Sequence, residues 1–332
     1  MTVIHSMTPL YEKLKQKGFT RPFVKGVLPE WWDDTLANTA SGYQEAGILL
    51  AKLFNIKPSS LLSEELSPDF RFGARRFKRQ QNIEICELDR ACSLAMTAAK
   101  IAVSAMPNPY VRPDSASELR RKLLSNPDQR WIDFSTLLEY CWQIGIPVLH
   151  LSHLPVGAKK MDGLAISVGG RPAIVLTSKR QHGFMLFHLA HELGHIAEGH
   201  VDEDGSWAID AEIDGVGEQE DEIAANQYGF SMLTGETRFR GLPEGTIVPR
   251  FGPQLALEAL SLGSSRRIDP MHIALVTAYR HKNFQLGGSA VKVLSKNRPS
   301  DFDVCSAILE RQLDWNCLSD DEAELLRKLT GM

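Results

Sequence analysis

Three residues near the middle of the chain have the types and the spacing of a metal-dependent hydrolytic site. His191 and His195 stand four positions apart, so in a helix both imidazoles lie on one face and can bind the same ion. Glu192, between them, then lies beside the water that the ion activates, where a carboxylate can take a proton and pass it to a leaving amine. This HExxH pattern predicts one Zn2+ ion per chain, with Glu192 as the general base.

A zinc site of this kind needs a third protein ligand, and an acidic stretch downstream offers one. Glu222 is preferred because Asn226 follows it at i+4: the carboxylate would bind the metal, and the Asn side chain would accept the N–H of a ligating histidine. Glu218, one turn earlier on a similar face, is the alternative ligand. The separation between His195 and Glu222 leaves room for a loop and for a second helix that turns back onto the first.

Four further side chains are weaker candidates. His188 and His200 flank the motif, and we expect one of them at most to contact a zinc ligand and the other to be exposed. His272 and Tyr228 could stabilise the oxyanion of a tetrahedral intermediate. For each of these two rings, a packed or solvated position is the default expectation.

The segments FHLAHELGHIAEGH (187–200) and EIAANQYGFSML (222–233) resemble the ImmA/IrrE family of metallopeptidases. The upstream order of strand, hairpin and helix is also similar, and the resemblance covers residues 130–235. It implies a thermolysin-like site of two His and one Glu, and a regulatory protein as substrate, either a helix-turn-helix repressor or an antitoxin-like partner. Gly229, where the family usually has Ala, and residues 233–235 depart from the family's pattern, but none of them is a proposed ligand.

The elements around the motif predict an α+β fold that is mainly helical. The runs GLAISV and PAIVLTS, joined by Gly169 and Gly170, predict a β-hairpin, and a strand IPVLHL precedes them. The long helix GFMLFHLAHELGHIAEGH follows directly, so we expect a small sheet beside a zincin-type active-site helix. The hairpin strand 172–177 is the predicted edge to which a substrate would add as a further strand.

Four regions are predicted along the chain: a helical unit (1–66), a basic segment with a helical connector (67–129), the metallopeptidase core (130–235) and a helical C-terminal region (236–332). In the first region, ILLAKLFNIKPSSLL resembles the last helix and closing turn of phage-repressor-type helix-turn-helix domains. A helix opened by Pro29 runs through EWWDDTLAN, where a recognition helix would stand, but this stretch is acidic and unsuited to phosphates. Packing against the rest of the protein is therefore favoured over DNA reading.

The basic segment FRFGARRFKRQQN (70–82) interleaves arginines and lysine with phenylalanines. Such a pattern can bind single-stranded nucleic acid through charge and stacking. A solvated helix face whose phenylalanines belong to the core is the favoured interpretation.

Composition excludes several classes of protein. A net charge of −4 argues against a protein that coats nucleic acid with its whole surface, and no apolar run is long enough to span a bilayer. The N-terminus lacks the apolar stretch of a secretory signal, and an odd number of cysteines at irregular spacing favours a reducing compartment, so the cytoplasm is expected. Cys86 and Cys92 are expected to be buried apolar groups, with a thiolate that blocks the zinc ion as the alternative.

Two functions fit these observations. The first is a zinc endopeptidase that cleaves a regulatory protein. The second is a non-proteolytic DNA- or protein-binding regulator that keeps a structural zinc site. Structural sites are usually closed by four protein ligands, commonly including Cys, whereas only three good ligands are found here, which favours catalysis.

Overall fold

The computed structural model describes residues 5–64, 67–72, 85–158, 161–177, 182–210, 220–245 and 249–332. Within these ranges the chain is mainly helical with one small sheet, so the predicted α+β class is confirmed. The strands are β1 (Val148–His150), β2 (Gly163–Val168), β3 (Arg171–Leu176) and β4 (Trp207–Asp210). The α-helices are α1 (Thr8–Gln16), α2 (Arg21–Val27), α3 (Ala40–Leu53), α4 (Pro58–Leu62), α5 (Ile85–Ser104), α6 (Ala116–Leu123), α7 (Phe134–Gln143), α8 (Phe184–Ala197), α9 (Glu220–Thr234), α10 (Gly252–Arg266), α11 (Pro270–Arg280), α12 (Phe284–Leu294), α13 (Asp301–Gln312) and α14 (Asp320–Thr330).

The strands form a mixed sheet in the order β1-β3-β2-β4. β2 and β3 form the predicted hairpin, and its turn places Gly169 and Gly170 at φ angles of 59° and 76°, a region that favours glycine. The prediction that strand 172–177 is a free edge is wrong, because β3 pairs with β1 on one side and with β2 on the other. The outer strands of the described sheet are β1 and β4, and β4, which pairs with β2, was not predicted.

The HExxH motif lies on α8, which packs against β2 and β3 on one side and against α9 on another. Every residue of α8 from His188 to Ile196 is buried, which suits a helix that is apolar nearly all round. Gly194 permits the close approach of α9, since a Cβ at this position would lie 2.8 Å from the carbonyl oxygen of Ala225. This contact brings the first turn of α9 over the two histidines.

The N-terminal region differs from the prediction at one element. The helix predicted to run from Pro29 through EWWDDTLAN is not formed, and only a short 3-10 helix occurs there (Asp34–Asn38). The Asp33 side chain accepts the N–H of Thr35, and the Thr39 side chain already caps α3. Two caps so close together leave too few residues for an α-helix.

The N-terminal helices pack against the rest of the protein, as expected. Apolar residues of α1, α3, α5 and α14 belong to one continuous core. At its rim, Trp31 Nε1 donates to Asp321 Oδ1 at 2.8 Å, and Lys52 Nζ donates to Glu322 Oε1 at 2.8 Å. The N-terminal and C-terminal helices of the chain therefore lie against each other.

Helices α10, α11 and α12 pack around a smaller core of their own, and α11 also contacts α8. Asp269 begins α11, as predicted: its Oδ1 accepts the N–H groups of Met271 and His272 at 2.7 and 3.2 Å. The last helix, α14, also begins as predicted, at Ser319 with a capping box.

Several predictions fall at least partly outside the described residues, namely the basic segment from residue 73 onwards, Glu218 and the side chain of Cys86. Phe70 and Phe72, at the start of that segment, pack against the core, in agreement with the favoured interpretation. No helix within the described ranges combines the length and the apolar character needed to cross a membrane.

Candidate metal centre

His191 and His195 are buried on one face of α8, a single helical turn apart. Their Nε2 atoms lie 3.1 Å apart. The helical spacing that the sequence predicted is sufficient to bring these two nitrogen atoms together, and the packing of α8 against the sheet fixes both rings.

Glu222, in the first turn of α9, is the third candidate ligand and forms the metal group together with His191 and His195. Its Oε2 lies 3.3 Å from His191 Nε2, and its Oε1 lies 3.6 Å from His195 Nε2. The N-terminal end of a helix is a favourable position for a carboxylate, because the backbone N–H groups there are not used within the helix. Among the described residues, these three are the only His, Cys, Asp or Glu side chains found grouped so as to hold a metal ion.

Asn226 lies one turn after Glu222 on α9, and its Oδ1 is 3.1 Å from His191 Nδ1. Because an amide oxygen only accepts hydrogen bonds, His191 must carry its proton on Nδ1. The lone pair of His191 is then on Nε2, the atom that faces Glu222 and His195. This is the contact that the sequence predicted for Asn226, and it is the usual way in which a protein orients a ligating histidine.

His195 has a corresponding partner in His200. α8 ends at Ala197, and Gly199, whose φ is 81°, turns the chain so that the backbone N–H of His200 donates to the carbonyl oxygen of His195. The two Nδ1 atoms lie 2.8 Å apart, and His200 Nε2 lies 3.5 Å from Asp221 Oδ1. If Asp221 takes the N–H of His200, then His200 accepts the N–H of His195, whose Nε2 keeps its lone pair.

Glu192 is fully buried between the two histidines on α8. Its carboxylate lies against β2, where a Cβ built on Gly163 would be 2.4 Å from Oε1 and 2.7 Å from Cγ. Only glycine leaves room for the Glu192 side chain at this point, so the carboxylate packs directly against the backbone of β2. Sequence analysis missed this role of Gly163, because it depends on the packing of a helix on a sheet.

The weaker candidates take different positions. His188 is buried, with Nε2 3.7 Å from Asp162 Oδ1, and the side chain of His200 is only 11% exposed. The expectation that one of these two histidines is exposed is therefore wrong. Tyr228 donates its hydroxyl to the carbonyl oxygen of Asp114 at 2.8 Å, and burial raises its pKa, so the phenol has a structural role. The described cysteines are absent from the metal group.

A cleft of about 820 Å³ opens beside the metal group and extends towards α11. His191, Glu222 and Asn226 line one end of it, and His272 lines its wall. The His272 ring is buried between Phe187 and Phe239, with centroids 5.8 and 5.9 Å away, and burial lowers its pKa to about 4. This imidazole is therefore neutral near pH 7 and can offer one N–H donor.

Comparisons of the chain with protein-family models, with curated proteins and with solved structures found no match. The chemistry of the site therefore has to be inferred from its own residues. Those residues offer two imidazole nitrogens and a carboxylate as ligands, a buried carboxylate on the residue after His191, and a cleft large enough for a ligand.

Proposed function

We propose that the protein is a zinc-dependent endopeptidase in which His191, His195 and Glu222 hold the metal and Glu192 is the general base. The observation that carries the proposal is that three donor groups converge and that Glu192, which directly follows the first of these ligands on α8, is fully buried. A structural zinc site has no need of such a carboxylate. A hydrolytic site needs one to move a proton.

The donor set suits zinc. In a tetrahedral site with metal–ligand bonds of about 2.0 to 2.1 Å, neighbouring donor atoms lie about 3.3 Å apart. The two Nε2 atoms lie 3.1 Å apart, His191 Nε2 lies 3.3 Å from Glu222 Oε2, and His195 Nε2 lies 3.6 Å from Glu222 Oε1. Two imidazoles and one carboxylate are also the ligand set of the thermolysin type, which leaves one coordination position for a water molecule or a substrate.

A zinc ion at this site would supply Lewis acidity, which polarises a peptide carbonyl and makes water a better nucleophile. Glu192 takes one proton from the attacking water as the water oxygen bonds to the carbonyl carbon. As the carbon–nitrogen bond breaks, Glu192 returns that proton to the leaving amine. One water molecule is consumed, and the carboxylate is regenerated.

Asn226 and His200 support this chemistry through the ligands. Each accepts or can accept the Nδ1 proton of one histidine, so both Nε2 lone pairs face the metal position. Gly163 supports it from the sheet, by leaving space for the Glu192 carboxylate.

We further propose that the substrate is a regulatory protein, a helix-turn-helix repressor or an antitoxin-like partner, and that the enzyme acts in the cytoplasm. The substrate proposal rests on the resemblance of residues 187–200 and 222–233 to the ImmA/IrrE family. The compartment is supported by Cys141, Cys305 and Cys317, which have thiols rather than disulfides.

The test combines elemental analysis with cleavage of a pooled library of internally quenched peptides. The full-length protein is compared with His191→Ala, Glu192→Gln and, as a matched control, His153→Ala, which changes an exposed histidine outside the cleft lining. We expect about one zinc per chain, lost only in His191→Ala. Cleavage should fall about 10²- to 10⁴-fold in Glu192→Gln, although that variant keeps its zinc.

Two results would contradict the proposal. Zinc that is absent from the wild type, or unaffected by His191→Ala, would remove the metal site. Zinc that is bound as expected, together with no cleavage that depends on Glu192, would favour the non-proteolytic regulator with a structural zinc ion.

A further inference from the structure

The cleft beside the metal group is built from one stripe of side chains on each of three helices. Phe184, Phe187 and His191 stand at helical spacing on α8, and the lining residues of α9 and α11 are spaced in the same way. On α11 the stripe runs from His272 to Arg280. At about 1.5 Å per residue, this stripe is about 12 Å long.

The middle of the cleft is aromatic. Phe187 lies one turn before His191 on α8 and packs against Phe230 of α9, with ring centroids 4.8 Å apart. His272 contacts both of these rings, and Phe239 stacks on it. Because burial keeps the His272 imidazole neutral, this part of the cleft wall carries no charge at neutral pH. Such a surface favours a large apolar or aromatic side chain.

The two ends of the cleft differ in charge. Asp162 and Glu222 lie close to His188 and His191, whereas Arg280 lies at the opposite end of the α11 stripe from His272, and Arg238 and Arg240 also line the cleft. Arg240 pairs with Glu244, but Arg238 and Arg280 form no ion pair within the described part of the chain. Arg280 Nη1 is moreover buried with no hydrogen-bond acceptor among the described residues. An anionic group on a ligand would therefore be favourable at this end.

We propose that the cleft binds an extended peptide segment with a large aromatic side chain close to the bond that is cut and a carboxylate side chain about four residues away. The aromatic side chain packs among Phe187, Phe230 and Phe239, and the carboxylate pairs with Arg280. The spacing follows from the length of the α11 stripe, since an extended peptide advances about 3.3 Å per residue. This inference names the substrate class of the proposed peptidase and rests on that function.

Binding and cleavage are measured separately. Binding uses zinc-loaded Glu192→Gln and fluorescein-labelled ten-residue peptides in anisotropy titrations. The peptides carry Phe or Ala at one central position, and Glu, Gln or Lys four residues before or after it. We expect the Phe peptides to bind about tenfold or more tightly than the Ala peptides. Among the Phe peptides, the one with Glu should bind several-fold more tightly than the one with Lys, either when the charged residue is four positions before Phe or when it is four positions after. This preference should shrink in 1 M salt.

Substitutions in the protein test the same contacts from the other side. When Arg280→Glu is combined with Glu192→Gln, the preference for Glu over Lys should be reversed, so that the Lys peptide binds more tightly than the Glu peptide. Arg121→Glu, which makes the same change of charge at an exposed position outside the cleft lining, should leave the preference unchanged. Phe230→Ala should reduce the advantage of Phe over Ala.

The outcomes separate the two proposals. Equal binding of Phe and Ala peptides, or a Glu preference that survives Arg280→Glu, would overturn the substrate inference even if wild-type enzyme cleaves library peptides. If Glu192→Gln binds the peptides with Phe and Glu selectively but the wild type cleaves none, the preference of the cleft would be supported and only the peptidase activity would be contradicted.

Discussion

The Glu192 carboxylate lies so close to Gly163 that a methyl group on that glycine would be 2.4 Å from Oε1. A real Cβ atom does not approach an oxygen so closely, so one of the two residues would have to move. The contact joins β2 to the buried part of α8 that carries both histidines. It therefore makes a backbone position of the sheet responsible for where the proposed general base lies.

Gly163→Ala is expected to displace Glu192 and to lower kcat by about tenfold or more, because catalysis is sensitive to misplacement by as little as 1 Å. Zinc content should be unchanged, since none of the three ligands is altered. The matched control is Gly229→Ala, where the added Cβ would be in ordinary contact, 3.5 Å from the His191 backbone nitrogen. Peptide cleavage and elemental analysis of both variants check this, and an unchanged kcat in Gly163→Ala would contradict it.

Asn226→Ala is expected to weaken zinc binding by about 10- to 100-fold, because it removes the acceptor that holds the proton of His191 on Nδ1. Asn226→Asp should keep most of the affinity, since a carboxylate oxygen can accept the same hydrogen bond. Competition with a chromogenic chelator measures both. Equal affinities in the two variants would show that the Asn226 contact does not orient the ligand.

His200→Ala should also weaken zinc binding, because the N–H of His195 loses its acceptor at a buried position. Asp221→Asn should have a smaller effect, since the amide oxygen can still accept from His200. The same chelator competition applies, with the exposed His281→Ala as the control. If Asp221→Asn matched His200→Ala, the carboxylate charge rather than the hydrogen bond would be the main contribution.

The candidate metal ligands could be predicted because their geometry is mostly local. Four residues of helix bring His191 next to His195, and the pair Glu222 and Asn226 follows the same spacing rule on a second helix. The turn that places His200 beside His195 was less visible. It depends on Gly199, which turns the chain just after the end of α8, and a glycine after a helix is a signal that the sequence does carry.

Other features depend on contacts between distant parts of the chain. β4 is four residues long and is stabilised by pairing with β2, so its own sequence gives little indication of a strand. The prediction that strand 172–177 is an edge failed for a similar reason, since sequence indicates strands but not their order in a sheet. The cleft wall around His272 and Arg280 comes from α11, far from the motif along the chain.

Asp269 gives a prediction about stability and pH. It is fully buried at the start of α11, and burial raises its pKa to about 6, above the usual value of 3.8. Between these two values the folded protein binds more protons than the unfolded chain, so the contribution of Asp269 to stability decreases as pH rises. This destabilisation is complete above pH 6 and amounts to about 3 kcal/mol at most.

Asp269→Asn keeps an oxygen that can accept the N–H groups of Met271 and His272, but it cannot ionise. Relative to the wild type, the variant should be stabilised by about 1 to 3 kcal/mol at pH 8, with the difference falling towards zero at pH 4. His272 gives the opposite slope in this range, because its lowered pKa makes acid destabilising, but it is present in both proteins and cancels in the comparison. Urea unfolding at both pH values measures the difference.

Asp269→Ala, which also removes the cap, should be less stable than Asp269→Asn by about 0.5 to 2 kcal/mol at either pH. A difference between Asn and wild type that is the same at pH 4 and pH 8 would mean that Asp269 does not titrate with a raised pKa.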